Sequence, residues 1–238
     1  MKSISVSTPS PFKIIILSAR ASNLVICVQS VLEKEPSLPA DHIIVVDDGA
    51  RSEAESKLPG IQWLTGIKPF IYARNANLGI REAGTDVVLL NDDARLLTFH
   101  GITHLAQQVR SRSHIGVCSA SIQGIVGNQR QITSQSNQFR LEPRMLAFVC
   151  VYIPKSVYDK IGLLDERLVG YGFEDNDYCT RILKSGLQLG IWDGCVVDHS
   201  NKSASTFRTK PNICKLYKQN YHLFKKKWGP FSLSKRYV

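Results

Sequence analysis

The 238-residue sequence has no CxxC pair, no GxGxxG after its first apolar run, no GxxxxGK[ST] and no GxSxG. A dinucleotide-binding site, a phosphate-binding P-loop and a hydrolase nucleophile elbow are thereby excluded as the organising motif. The six cysteines, at 27, 118, 150, 179, 195 and 214, lack the spacing of a small disulfide-bonded domain, so reduced thiols and a cytoplasmic location are expected. No run approaches the roughly 18 apolar residues of a membrane span, and the apolar stretch near the N-terminus is too short for a signal-peptide core. Residues 201–238 contain no Asp or Glu at all.

That last absence locates the charge. The net charge of +10 comes from 30 basic and 20 acidic residues; residues 1–200 are balanced at 20 against 20, and the tail carries the other 10 basic residues. Such a tail suits polyanions: phosphate groups, an anionic membrane surface or nucleic acid, the alternative being a solvated basic face. With 43% hydrophobic residues, one large core is affordable, so a single domain over 1–200 with a basic helical extension over 201–238 is expected.

Apolar runs at 13–18 (KIIILS), 42–49 (HIIVVDDG), 61–66 (IQWLTG) and 86–94 (DVVLLNDDA) read as buried strands. Between them, Leu24, Cys27, Val28, Val31 and Leu32 recur with helical spacing, and residues 76–83 form a short helix. Alternation of this kind predicts an α/β fold with a mainly parallel central sheet flanked by helices. In the second half, 114–133 reads as a strand and a hairpin, 134–144 as a polar mobile loop, and 145–154 as a strand. A short helix at 155–161 follows, then a helix at 174–186, two short strands within 187–199 and a basic amphipathic helix at 211–228. Leu216, Tyr221, Phe224 and Trp228 lie roughly on one stripe of the last.

The acids fall where such folds bind ligands, at the carboxyl ends of parallel strands. Asp47, Asp48, Asn91, Asp92 and Asp93 all do so. Adjacent carboxylates there suit a divalent cation held together with substrate phosphates, or an acidic turn that binds nothing. In YGFEDNDYCTR (171–181), Glu174, Asp175 and Asp177 crowd behind Gly170, Tyr171, Gly172 and Phe173. The helix dipole favours acids in a first turn, and a partly desolvated carboxylate facing an acceptor is what a general base requires. His199, after the strand CVVD, is a structural histidine or a ligand.

KIIILS, VVDDGA, ARNANLGIREAGTDVVLLNDDA and GLLDERLVGYGFEDNDYCTRILKSG, in this order, resemble the family 2 nucleotide-sugar glycosyltransferases over residues 13 to 200, and KKWG at 226–229 is similar to that family's usual ending. The resemblance implies a single GT-A (Rossmann-like) domain with a nucleotide-sugar-binding half at about 13–95 and an acceptor-binding half at about 114–200. It implies that Asp48 contacts the base, that Arg74 lies near the nucleotide and diphosphate, and that NDDA is the DxD motif, with Asn91 and Asp92 beside the donor and Asp93 on Mn²⁺ or Mg²⁺. Asn91 stands where the pattern has its first Asp, and LSAR (17–20) where it has Thr-x-x-Asn. His199 matches a further metal ligand, Asp175 the catalytic base and Glu174 its neighbour, leaving Asp177 as a helix-start residue. The implied reaction is metal-dependent, inverting transfer of a sugar from a nucleotide-diphosphate sugar to a hydroxyl of a glycan, lipid-linked or other acceptor. The alternatives are a glycosyltransferase acting on nucleic acid through the tail, peripheral docking at an anionic membrane surface, and a non-catalytic binding or scaffold protein of this fold. A sugar-phosphate nucleotidyltransferase would need a Gly-rich phosphate loop that LSARASN does not provide.

Overall fold

A computed structural model describes residues 12–134, 136–169, 172–200 and 212–229. Gly170, Tyr171 and the tail outside 212–229 lie beyond the described residues. In chain order the elements are β1 (Phe12–Ser18), α1 (Ala21–Lys34), β2 (Ile43–Asp47), α2 (Arg51–Ala54), β3 (Gln62–Thr65), α3 (Tyr72–Ala83), β4 (Asp86–Asn91), β5 (Arg95–Leu96), α4 (Gly101–Arg110) and β6 (Ile115–Gly124). They continue with β7 (Phe139–Glu142), β8 (Cys150–Ile153), α5 (Lys155–Ile161), α6 (Glu174–Lys184), β9 (Gln188–His199) and α7 (Ile213–Trp228).

One mixed sheet runs β3-β2-β1-β4-β8-β6-β9-β5, with β7 also paired to β9. β3, β2, β1 and β4 are mutually parallel, in the register Ser18↔Asp47 and Leu17↔Asn91. Three strand ends are therefore level along one edge. The apolar runs are continuous because both sheet faces are covered. Ile14 and Ile16 point into the layer formed with α1, α2 and α4, while Ile15 points into the layer with α3, α5 and α6. α3 lies so close to β1 that a Cβ on Gly79 would stand 2.6 Å from Ile15 Cγ2, and glycine is needed there. Gly101–Arg110 forms a helix outside the elements expected from sequence. Its N-terminus is capped from α1's end, where Glu35 accepts from the Ile102 and Thr103 amides at 2.7 and 3.2 Å.

Several expectations are corrected. The helix expected at 76–83 begins earlier, at Tyr72. No hairpin follows β6: Ile132 returns parallel to Ile122 after a 3₁₀ turn at Gln129–Gln131. The segment 134–144 is not simply a loop, because Phe139–Glu142 adds an antiparallel strand to β9, with Phe139 lying over Gly190. The strand expected over 145–154 is confined to Cys150–Ile153; residues before it form a loop beside the site. β9 is one long strand rather than two, although its pairing with β6 jumps between Trp192↔Ala120 and Val196↔Ser121.

Candidate functional site

The carboxyl end of β2 uses its two acids differently. Asp47 Oδ1 accepts from the amides of Gly49, Ala50 and Arg51 at 2.8, 2.7 and 3.0 Å, which starts α2. Asp48 projects from the turn and is paired with Lys68, whose ammonium also reaches the Asp48 carbonyl at 3.1 Å. Arg74, in the first turn of α3, donates to the carbonyls of Ile67 and Pro69, and its Nε is buried without a partner. Asp48 and Arg74 thus both hold the 67–69 segment.

At the end of β4, Asp92 Oδ2 accepts from the Ser18 hydroxyl at 2.6 Å. Burial, reinforced by neighbouring Asp93, pushes Asp92 up to about 7 despite that hydrogen bond. Asp93 Oδ1 lies 3.1 Å from His199 Nε2, while His199 Nδ1 is bonded to the Ile125 carbonyl. A carbonyl only accepts, so Nδ1 carries a proton and Nε2 is turned toward the carboxylate. A backbone carbonyl on the far ring nitrogen is the arrangement that orients a metal-binding imidazole. Among the described residues no group of three His, Cys, Asp or Glu side chains is close enough to hold a metal ion. Asp93 and His199 therefore supply two ligands at most, and a cation there needs oxygen donors from a bound diphosphate or water.

Glu174 and Asp175 occupy the first turn of α6. The turn is entered through Gly172 at φ +88° and Phe173 at φ +77°. A left-handed aromatic residue costs about 1–2 kcal/mol, and here its ring is buried. Asp175 accepts from the Asn176 amide at 2.7 Å and from the Phe148 amide. Burial raises both carboxyl groups above the usual range, and the Asp175 charge raises Glu174 further. Tyr72, at the start of α3, is raised by burial, reinforced by the charge of these same two acids.

The loop 145–149 links this pair to the strand ends. Phe148 bonds Asp175, and the next residue, Val149, accepts from the Asn91 amide at 2.9 Å. The loop is pinned from below. Gln131 Oε1 accepts from the Ala147 amide at 2.7 Å and Gln131 Nε2 donates to the Ala147 carbonyl at 2.9 Å. Asn128 Nδ2 donates to the Met145 carbonyl at 2.7 Å. Among the described residues, Asp48, Asn91, Asp92, Asp93 and His199 therefore lie at the ends of β2, β4 and β9, and Arg74, Glu174 and Asp175 at the starts of α3 and α6. Ser18, Lys68, Tyr72, Gln131 and Phe148 were not among them. Lone Gln and Phe residues in an unmotified stretch carry no signal, whereas Tyr72 directly precedes the ARN stretch.

An α/β domain whose mixed sheet presents acids at adjacent strand ends defines a GT-A-like protein. The chain belongs to glycosyl transferase family 2, whose family model matches residues 14–156. Solved structures agree on the fold. The crystal structure of GalNAc-T7 with UDP, GalNAc and Mn²⁺ superposes with a TM-score of 0.72 at 14% identity, over 93% of this chain and 48% of that one. The mannosyltransferase PcManGT from Pyrobaculum calidifontis, in complex with GDP-Man and Mn²⁺, gives 0.61 at 15% identity over 81% of this chain and 58% of its own. S. aureus TarS 1–349 gives 0.58 at 13% identity over 94% and 75%. The chain thus spans about half the length of the first two. No curated protein sequence matches it. No helix among the described residues is long and apolar enough to cross a membrane, and all six cysteines are free thiols.

Proposed function

We propose that the chain transfers a sugar from a nucleotide-diphosphate sugar to an acceptor hydroxyl with inversion, Asp175 acting as general base. The observation that carries this reading is the chain of bonds from Asp175 through Phe148 and Val149 to Asn91, which couples a buried carboxylate pair to the acidic strand ends. Asp48 receives the base, so Lys68 must yield or share it. Arg74, with a buried and unsatisfied Nε, is placed for the diphosphate. Asn91 faces the ribose, and Asp92, oriented by Ser18, stands beside it at the end of β4. Asp93 and His199 would hold Mn²⁺ or Mg²⁺, by analogy with the Mn²⁺-containing GalNAc-T7 and PcManGT structures, and a cation bound there would supply Lewis-acid stabilisation of the departing diphosphate.

In the transfer step the acceptor oxygen attacks the anomeric carbon from the face opposite the diphosphate. Its proton passes to Asp175 as the new C–O bond forms, and the bond from carbon to diphosphate oxygen breaks with both electrons leaving on the diphosphate. The raised pKa of Asp175 makes it a stronger base than a solvated aspartate while leaving it ionised near neutrality. Glu174 orients Asp175 or the acceptor. The acceptor is a glycan, a lipid-linked sugar or another hydroxyl compound; Lys215, Lys218 and Lys226, exposed on α7, favour one that bears phosphate or stands at an anionic surface.

The test is a donor panel with Mn²⁺ or Mg²⁺, following release of nucleoside diphosphate, with Asp175→Asn and Asp93→Ala in parallel. Metal-dependent turnover of one donor that both substitutions abolish is expected. If no nucleotide sugar binds, the assignment fails and the scaffold reading replaces it.

A further inference from the structure

The turn that presents Glu174 and Asp175 is not held by α6 alone. Positive φ is free for Gly172, but in Phe173 beside it such a conformation persists only where neighbours fix it. The neighbours here belong to α7. The Phe173 ring is surrounded by Tyr217, Tyr221 and Phe224, at centroid separations of 4.9, 5.7 and 5.5 Å. Asn220, itself buried, donates through Nδ2 to the Gly172 carbonyl at 2.9 Å.

The same helix ends on Asp177. Trp228 Nε1 donates to Asp177 Oδ1 at 2.7 Å, and Lys227 Nζ stands 2.7 Å from that oxygen and 2.9 Å from Asp165 Oδ2. Arg181 Nε holds the other oxygen, Asp177 Oδ2, at 2.9 Å. Asp177 lies in the first turn of α6, as its position in the sequence suggests, and is 1% exposed. With Arg181 and Lys227 both on it, its charge is neutralised locally. Otherwise it would be a third negative group within three residues of Glu174.

We propose that α7 is a positioning clamp for the catalytic pair, with Trp228 and Lys227 acting through Asp177, and Asn220 acting through the Gly172 carbonyl. The inference rests on the reading of Asp175 as base, and it gives the tail an inward role distinct from binding a polyanion. Trp228, Lys227 and Asn220 are positioning residues; they touch neither donor nor reacting atoms. The contacts of this clamp fall on 165–181, on the acceptor side, so donor binding at Asp48, Arg74 and Asp93 is independent of it.

The experiment uses the full chain with whichever nucleotide sugar turns over in the donor panel and Mn²⁺, water serving as acceptor. kcat and donor KM are compared for wild type, Trp228→Phe, Lys227→Met and Lys227→Arg. Amide hydrogen exchange is followed in parallel for peptides covering 172–178, 43–50 and 86–94. Displacement of a reacting group by about 1 Å can cost about 100-fold in rate. The expected result is a fall in kcat of about tenfold or more for Trp228→Phe and Lys227→Met with KM within about twofold of wild type, and recovery in Lys227→Arg. Exchange should rise in 172–178 only. Unchanged kcat and exchange in both variants would overturn the clamp. So would kcat and KM worsening together with faster exchange at 43–50 and 86–94, which is general loosening. A wild type that turns over no donor defeats the transferase reading; exchange in 172–178 then decides by itself whether α7 holds this turn.

Discussion

Replacing Asp175 by Asn separates a catalytic carboxylate from a structural one, because the two roles predict opposite signs. Asparagine keeps the volume and an oxygen for the Asn176 and Phe148 amides. What it removes is the capacity to take a proton and the repulsion with Glu174. Loss of a general base costs about 10²–10⁴ in kcat, or about 3–5 kcal/mol of transition-state stabilisation. Stability should move the other way. The folded-state pKa of Asp175 is raised to about 6 from 3.8 by burial, so folding favours the protonated form. The stability linked to this group is complete below the unfolded pKa and is lost as pH rises through the folded value. At pH 8 wild type carries that penalty and Asp175→Asn does not. The variant should be more stable at pH 8 by up to about 3 kcal/mol, and the gain should shrink toward zero as pH falls to about 4. Denaturant unfolding at both pH values, beside donor turnover, measures the two effects. A variant that keeps more than a tenth of wild-type turnover, or that is destabilised at pH 8, would refute the reasoning.

Turnover in wild type should fall on acidification through about pH 6, because Asp175 must be able to accept a proton, and Glu174→Gln should leave that midpoint in place, since burial rather than a Glu174 charge raises Asp175; a pH profile of kcat checks both. Asp93→Ala and His199→Ala should each weaken Mn²⁺-dependent binding of nucleoside diphosphate about tenfold or more while leaving metal-free binding unchanged, as read by calorimetry. Gly79→Ala should destabilise by about 1–3 kcal/mol, since its Cβ would meet Ile15 at 2.6 Å in a packed layer; thermal unfolding shows it. Gln131→Leu removes both bonds that pin Ala147, and should lower kcat with little change in donor affinity, measured in the donor assay.

The strand ends were legible because buried parallel strands leave no polar residues except at their tips, so IIVVDDG and VVLLNDDA mark the ligand edge directly. α6 was legible for a similar reason: three acids, then Tyr178, Ile182 and a closing Gly186. The second half was harder. FRLE carries only a weak alternation, and it becomes a strand because β9 offers a free edge and Gly190 a seat for Phe139. α4 has apolar residues at helical spacing, but its cap comes from Glu35, 67 residues before the first amide it holds, and no local window contains it. The packing of α7 was equally hidden. Its apolar stripe was readable, but the partners of Trp228 and Lys227 lie on Asp177, about 50 residues earlier.

The most direct test of the central claim is the anomeric configuration of the first product. With an α-linked nucleotide sugar and water as acceptor, proton NMR is recorded within the first turnovers, before the released sugar mutarotates. A single displacement with Asp175 as base predicts the β-anomer first, and its absence from Asp175→Asn. Initial release of the α-anomer would mean retention, and would contradict the mechanism assigned to this edge.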